Sequence, residues 1–177
     1  AVRIRSNDWV SRKVEITRSY LEMLRKARQE LIIMSSYFLP GRLIRINLTK
    51  AAKRGVAIHV IIAGRSDVAV AKAAERYWYQ FLLRNKIRIY EYQPRILHAK
   101  LSACDDEFVT IGSYNVNQIS AYASVELNLD VKNPAFAGST MQQLRQIIQA
   151  DCVEVTQAAY NRSQTWLHRL YYWCAYE

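Results

Sequence analysis

The sequence predicts an α/β fold in which a mixed, mainly parallel β-sheet is covered by helices. Two observations lead to it. Short apolar runs of strand length alternate with longer amphipathic stretches through the first half of the chain, as in parallel sheets with crossover helices. The chain has 177 residues, of which 51% are hydrophobic, so it can bury one sizeable core. We therefore predict a single domain over residues 1–177.

The first half divides into three helices and three strands. Apolar side chains recur every three or four positions over residues 11–29, which indicates a helix, and Ser11 stands where an N-cap is expected. Gly55 follows the basic pair Lys53 and Arg54 and is expected to cap the C-terminal end of the helix over 42–54. In order, the predicted elements are a helix over 11–29, a strand over 31–34, a helix over 42–54, a strand over 57–63, a helix over 68–84 and a strand over 87–92.

The second half begins with a strand pair. Residues 96–103 have a strand-like pattern, the acidic run 105–107 predicts a hairpin turn, and residues 108–111 form the return strand. Apolar and polar residues alternate over 125–131, which predicts a further strand, and residues 135–150 return to a helix. Residues 160–177 combine aromatic and basic side chains, which suits either a helix at a membrane interface or one that packs on another part of the protein.

The composition restricts the partners. A net charge of +10 favours anionic partners, namely phospholipid surfaces, nucleic acids or phosphorylated substrates, without choosing among them. Three widely spaced cysteines predict a reduced, intracellular setting, and the histidines have no companions at metal-binding spacing. No apolar run is long enough to span a bilayer. Because the chain starts at Ala1 rather than Met, we expect it to be a piece of a longer protein.

Reactive polar residues are concentrated between residues 98 and 115. His98 and Lys100 are two positions apart in a strand-like pattern, so their side chains should project from the same face. An imidazole beside an ammonium is costly unless an anion binds between them, and a phosphate fits: histidine attacks phosphorus or moves a proton, and lysine holds the oxygens. Asp105, Ser113 and Asn115 follow at fixed offsets.

The pattern His-x-Lys-x4-Asp-x6-Gly-Ser-x-Asn resembles the motif of the phospholipase D superfamily. Over about residues 12–170 the chain is also similar to the C-terminal half of bacterial cardiolipin synthases. The residues that carry this second similarity are Tyr37–Pro40, 51–56, 66–67, 89–92, 125–128 and 148–152. The resemblance implies an α/β/α sandwich and an active site assembled from two copies of the motif.

The resemblance also implies residue roles. One histidine of the pair forms a phosphohistidine and the other serves as general acid and base, so His98 is catalytic in one of these roles, while Lys100 binds phosphate oxygens. Asp105 matches the motif aspartate and is expected to give structural support rather than chemistry. Ser113 and Asn115 belong to the polar floor of the phosphate pocket. Neither a metal nor another cofactor is implied.

Glu126 matches the position where the family places a carboxylate that orients the imidazole. Only one motif copy is present in this chain. The second half is therefore expected elsewhere in the same protein or from a second copy of the chain.

Three functions remain open at this point. The first is phosphatidyl transfer on phosphatidylglycerol or a similar phospholipid, peripheral to the cytoplasmic side of a bacterial inner membrane. The second is a metal-independent nuclease made of two identical chains, with nucleic acid as its substrate. The third is a non-catalytic half that completes a partner's site.

Residues outside the motif lead to further expectations. Residues 37–39 and 65–67 each follow a predicted strand, where open sheets bind ligands, although ordinary loop chemistry explains them equally well. The aromatic and aliphatic run at 37–39 would give a lipid an apolar approach to the phosphate site. His59 is expected to be a satisfied histidine in or at the edge of the sheet.

Overall fold

A nine-stranded sheet forms the centre of the protein in a computed structural model, which describes residues 1–66 and 68–163. The elements, in chain order, are β1 (Val2–Asp8), β2 (Lys13–Val14), α1 (Glu15–Lys26), β3 (Glu30–Ser35), α2 (Arg42–Lys53), β4 (Ala57–Ala63), α3 (Ala69–Tyr77), α4 (Tyr79–Arg84), β5 (Arg88–Tyr92), β6 (Lys100–Cys104), β7 (Phe108–Gly112), α5 (Gln118–Tyr122), β8 (Val125–Lys132), α6 (Pro134–Asp151), β9 (Cys152–Glu154) and α7 (Gln157–Ser163). The strands lie in the order β2-β1-β8-β7-β6-β3-β4-β5-β9.

Helices cover both faces of this sheet. Side chains from α1, α2, α4, α5 and α7 pack with β3, β4 and β5 in one apolar cluster, and α6 forms a second cluster against the opposite face. Alternate residues of each buried strand supply the two clusters, as the two-residue period of a strand requires. Among the described residues, no helix has both the length and the apolar character needed to cross a bilayer.

The predicted α/β fold with a mixed sheet is confirmed, but the expectation of mainly parallel pairing is wrong. Only β3, β4 and β5 pair in parallel, and the other recorded strand pairs are antiparallel. The reason is connectivity. Crossover helices separate β3, β4 and β5, whereas a tight hairpin joins β6 to β7 and so reverses the chain direction.

Several predicted boundaries also differ. The first helix begins at Glu15, because residues 2–14 form strands and a turn in which Ser11 donates a hydrogen bond to Asp8 at 2.6 Å; Ser11 is therefore not a helix cap. The helix predicted over 68–84 is two helices that meet at Trp78. The short helix α5 was not predicted; the Asn117 side chain caps its start by accepting from the Ser120 N–H at 2.7 Å.

No helix of the described residues lies over one part of the sheet. On the α6 side, a row of paired residues crosses β3, β6, β7, β8 and β1. The row is Met34, Leu101, Ile111, Leu129 and Ile4, and its exposure rises from 4% at Met34 to 42%, 40% and 68% at the last three. We call the exposed apolar part of this surface, formed by Ile4, Ile111, Leu127 and Leu129, the uncovered sheet face.

The C-terminal segment is described only in part. Tyr160 of α7 is buried against the larger apolar cluster. The aromatic and basic residues from 164 onward lie outside the described residues, and so do Asp67 and Cys174. The predicted role of residues 160–177 as an interfacial or packing helix therefore stays a prediction.

Candidate active site

The start of β6 and the end of β3 meet at one edge of the sheet, and this places His98 beside Lys100. Lys100 pairs with Ser35, the last residue of β3. The His98 Nε2 lies 3.2 Å from the Lys100 Nζ, so the predicted contact is present, although the predicted strand over residues 96–103 begins only at Lys100. His98 is exposed, whereas Lys100 is only 8% exposed and donates to the Ser36 Oγ at 3.2 Å. An accessible imidazole therefore stands next to a buried ammonium that is held in place.

Asn115 fixes the other side of this edge. Its side-chain oxygen accepts from the Tyr37 N–H at 3.2 Å and from the Ser35 hydroxyl at 3.4 Å. The same Ser35 hydroxyl accepts from the Val116 N–H at 3.3 Å. Ser35 and Ser36 are site residues that were not predicted from the sequence. Two hydroxyls that end an otherwise apolar strand were the signal that could have found them.

Ser113 and Glu126 form a second polar pair near the same edge. The Ser113 hydroxyl donates to one carboxylate oxygen of Glu126, and Ser124 donates to the other at 2.8 Å. Gly112 allows the strands to approach closely here, because a Cβ at this position would overlap the carbonyl oxygen of Leu127. Within the described residues, Glu126 makes no hydrogen bond to His98, so its orienting role stays a prediction.

Asp105 lies outside this group of residues. It follows the last residue of β6, five positions from Lys100, which is ~16 Å along an extended strand. Its carboxylate accepts the backbone N–H groups of residues 28, 29 and 30 at 2.8, 2.9 and 2.9 Å. These bonds tie the β6–β7 hairpin to the start of β3. Such contacts are those of a structural residue rather than of one that touches a bound phosphate.

A buried polar network supports the segment after β3. The Glu75 carboxylate is 3% exposed and accepts the Phe38 N–H at 2.9 Å. Lys72 lies 3.1 Å from Glu75 and 3.0 Å from Glu91. Burial raises the pKa of Glu75 to about 7 although the Lys72 ammonium opposes the shift. The network was not predicted, because its members come from α3 and β5 and meet only after folding.

The loops that follow β3 and β4 differ from each other in exposure. Phe38 is 1% exposed and belongs to the core, so the expectation that residues 37–39 form the apolar approach is wrong at its central residue. Arg65 is exposed just after β4, and Asp67 lies outside the described residues.

His59 was expected to have its hydrogen-bonding groups satisfied, and this is true of one of its two ring nitrogens. Its Nε2 lies 3.3 Å from a Glu30 oxygen, whereas its Nδ1 is buried without a partner among the described residues. Burial lowers the pKa of His59, chiefly by desolvating the imidazolium. In the same described part of the chain, no cluster of three or more His, Cys, Asp or Glu side chains is arranged to hold a metal ion.

Comparison with known proteins identifies the family. A sequence model described as "Cardiolipin synthase, PLD-like domain" matches residues 20–152, which is most of the chain. The chain belongs to this phospholipase D-like family. It is 34% identical over 152 residues to cardiolipin synthase B of Salmonella typhi and 36% identical over 152 residues to cardiolipin synthase B of Escherichia coli strain K12. Each alignment covers 86% of this chain but only 37% of the relative, so the chain spans little more than a third of these proteins.

Solved structures of the family share the fold. The chain matches Nuc, a phospholipase D family member from Salmonella typhimurium, with a TM-score of 0.74 and 19% identity over 89% of this chain and 99% of that one. It matches phosphatidylserine synthase of Haemophilus influenzae with the same TM-score and 13% identity, over 93% of this chain and 41% of that one. The resemblance seen in the sequence is thereby confirmed at the level of family and fold.

Proposed function

We propose that this chain supplies one half of a phosphatidyl-transfer site of the cardiolipin-synthase type, acting on phosphatidylglycerol or a similar phospholipid. The observation that carries the proposal is the contact between the exposed His98 imidazole and the buried Lys100 ammonium. A phosphodiester at this edge would meet a nucleophile or proton carrier and a fixed positive charge at once. The similarity to cardiolipin synthases supports the lipid substrate.

The reaction balances with two histidines. An imidazole nitrogen bonds to phosphorus while the bond from phosphorus to the leaving glycerol oxygen breaks, and the second histidine gives that oxygen a proton. The acceptor alcohol then passes its proton to the second histidine while its oxygen displaces the imidazole from phosphorus. His98 takes one of the two roles. Lys100 neutralises the charge that develops on the phosphoryl oxygens, and Glu126 orients the imidazole once substrate is bound.

The uncovered sheet face supports the need for a second half. Monomeric proteins rarely leave a contiguous apolar patch of several large side chains in water. Ile4, Leu127 and Leu129 are 68%, 55% and 40% exposed on neighbouring strands. A second motif-bearing half, from the same protein or from another copy of the chain, would cover them and bring in the second histidine.

A homodimeric nuclease is the second candidate, because a net charge of +10 also suits a polyanion.

A phospholipid substrate also implies where the protein is located in the cell. We expect a peripheral protein on the cytoplasmic side of a bacterial inner membrane.

The test compares variants of the complete enzyme in mixed micelles of phosphatidylglycerol. His98→Ala should lower kcat by at least ~10²-fold, since a nucleophile or proton carrier is removed. Lys100→Ala should lower kcat by a similar factor, because the negative charge that develops on the phosphoryl oxygens loses its positive partner. His59→Gln and Lys50→Ala are matched controls away from the site and should keep near-normal turnover.

Full activity of a folded His98→Ala enzyme would disprove the mechanism. DNA cleavage that His98→Ala abolishes, in a preparation that yields no lipid product, would favour the nuclease instead.

A further inference from the structure

The connection from β7 to β8 carries exposed apolar side chains next to the candidate active site. It contains α5 and runs between two predicted site residues, Asn115 and Glu126. Ile119 and Tyr122 of α5 are 66% and 57% exposed. A five-residue helix bounded by site residues has no need of large apolar side chains in water for its own stability, so these two point to a ligand or a surface that approaches the site.

The start of α2 lies across from α5 and completes a groove. Leu43 is 52% exposed on its outer side, and a cavity of about 190 Å³ separates the two helices. We call this cavity and its rim the α2–α5 groove. Its lining includes Arg42, Leu43, Ile44, Val116, Ala121 and Tyr122.

The groove adjoins the candidate active site through its wall, because Val116 follows Asn115 directly in the chain. Val116, in its wall, donates its N–H to the Ser35 hydroxyl at 3.3 Å, and Ser35 in turn contacts Asn115. The Val116 carbonyl accepts the Leu39 N–H at 2.9 Å. These bonds tie one wall of the groove to the segment that holds Asn115, so the apolar surface of the groove begins one residue from the candidate site.

The charge of the groove fits an amphiphile better than a polyanion. Arg42 is an exposed cation at its rim and has no ion pair with a carboxylate in the described part of the chain. The remaining wall is mainly apolar. A nucleic-acid backbone would require a succession of cations along its path, whereas a phospholipid requires one cation near its phosphate and an apolar surface beyond it.

We propose that the α2–α5 groove binds an acyl chain of the phospholipid whose phosphate lies at His98 and Lys100. This inference rests on the proposed function and deepens it, since it locates the part of the site that recognises a lipid. Transfer of apolar side chains and methylene groups out of water drives the binding. Leu43 and Tyr122 then supply the apolar approach that was expected from Phe38, which is buried in the core instead.

The experiment uses the complete enzyme with the double variant Leu43→Ser/Tyr122→Ser. The matched control is Val70→Ser/Val153→Ser, which alters two side chains of similar exposure, 58% and 57%, away from the groove. Turnover is measured on long-chain phosphatidylglycerol in mixed micelles and on a dibutanoyl analogue that stays monomeric in water. The groove variant should lose about tenfold or more in kcat/KM on the long-chain lipid and less than about twofold on the analogue, and the control should change neither.

Binding without turnover separates this inference from the proposed function. In a His98→Ala background, cosedimentation with phosphatidylglycerol vesicles should weaken about tenfold with the groove variant and not with the control. If the parent enzyme turns over no lipid, the proposed function fails, while this binding difference still decides the role of the groove.

Three results would overturn the inference: equal loss on both substrates, no loss on either, or an equal effect of the control. A change of association state in the groove variant, seen by sedimentation, would also overturn it, because the groove would then be an interface between halves.

Discussion

Replacement of Asp105 should damage the stability of the protein and leave its chemistry intact, although this residue belongs to the sequence motif. Asp105→Ala removes the acceptor of three backbone N–H groups. At a net value of ~1 kcal/mol for each bond, the loss is about 3 kcal/mol. The φ of 54° at Asp105 adds about 1 kcal/mol for alanine, which tolerates this left-handed conformation less well than aspartate does.

The total of about 4 kcal/mol corresponds to a drop of roughly 10 °C in Tm for a chain of this size. Asp105→Asn should cost less, because it keeps one oxygen for the N–H groups of residues 29 and 30. Asp106→Ala is the matched control. Asp106 has the same backbone conformation, with a φ of 53°. The backbone N–H groups of residues 28–30, however, donate to Asp105 and not to Asp106. Asp106→Ala should lose about 1 kcal/mol for backbone strain, and less than about 1 kcal/mol for its exposed 3.6 Å ion pair with Arg145.

The assay pairs urea denaturation with kcat measured at a temperature where every variant is folded. We expect kcat to stay within about threefold of the parent value for all three variants. A kcat lowered ~10²-fold or more in Asp105→Ala, with an unchanged free energy of unfolding, would refute the structural assignment and place the carboxylate in the reaction. Equal destabilisation by Asp105→Ala and Asp106→Ala would refute the assignment of the energy to the three hydrogen bonds.

Three further predictions concern pH, assembly and metal dependence. Because the pKa of Glu75 is raised to about 7, folding binds a proton that the unfolded chain releases above its ordinary pKa of 4.5. The free energy of unfolding of the parent, relative to Glu75→Gln, should therefore decrease by up to roughly 3 kcal/mol as pH rises from 4.5 through 7; a difference independent of pH would contradict it. Leu129→Asp should prevent the two halves from associating in sedimentation, whereas Phe136→Asp on α6 should not, and unimpaired association would exclude the uncovered sheet face as the interface. Turnover should persist after dialysis against excess chelator, and loss of activity that a divalent ion restores would disprove catalysis by histidine and lysine alone.

The parts of the fold that could be predicted are those whose pattern is local. The strands β3, β4 and β5 are short runs of buried apolar residues, and the intervening helices have a clear apolar stripe. β1 was missed because its second part, Ser6–Asp8, is polar; Asn7 is nonetheless fully buried and accepts the Ile16 N–H at 2.9 Å. A buried asparagine that replaces a helix cap cannot be recognised from its neighbours in the sequence, since its partner lies nine residues away.

The same distinction applies to the candidate site. His98 and Lys100 were paired from the two-residue period of a predicted strand, and the two side chains do meet, although β6 begins only at Lys100 and His98 precedes it. The hydroxyl of Ser36 at the end of an apolar strand could be noticed in the sequence, but its contact with Lys100 depends on the antiparallel register of β3 with β6. Glu75 could not be added, since it joins the site through the packing of α3. Register depends on long-range pairing, which one sequence does not reveal.

The two exposed apolar surfaces lie on opposite sides of the sheet, and this arrangement bears on how a complete enzyme is organised. The uncovered sheet face lies on the α6 side, whereas Ile44, Val116 and Ala121 of the α2–α5 groove belong to the cluster on the other side. Because the two surfaces lie on opposite sides, a partner half on the first surface would leave the second open to lipid. The two roles should therefore be separable by mutation. Leu129→Asp should abolish association of the two halves while the chain keeps its affinity for phosphatidylglycerol vesicles. Leu43→Ser/Tyr122→Ser should leave association unchanged and weaken binding to the vesicles.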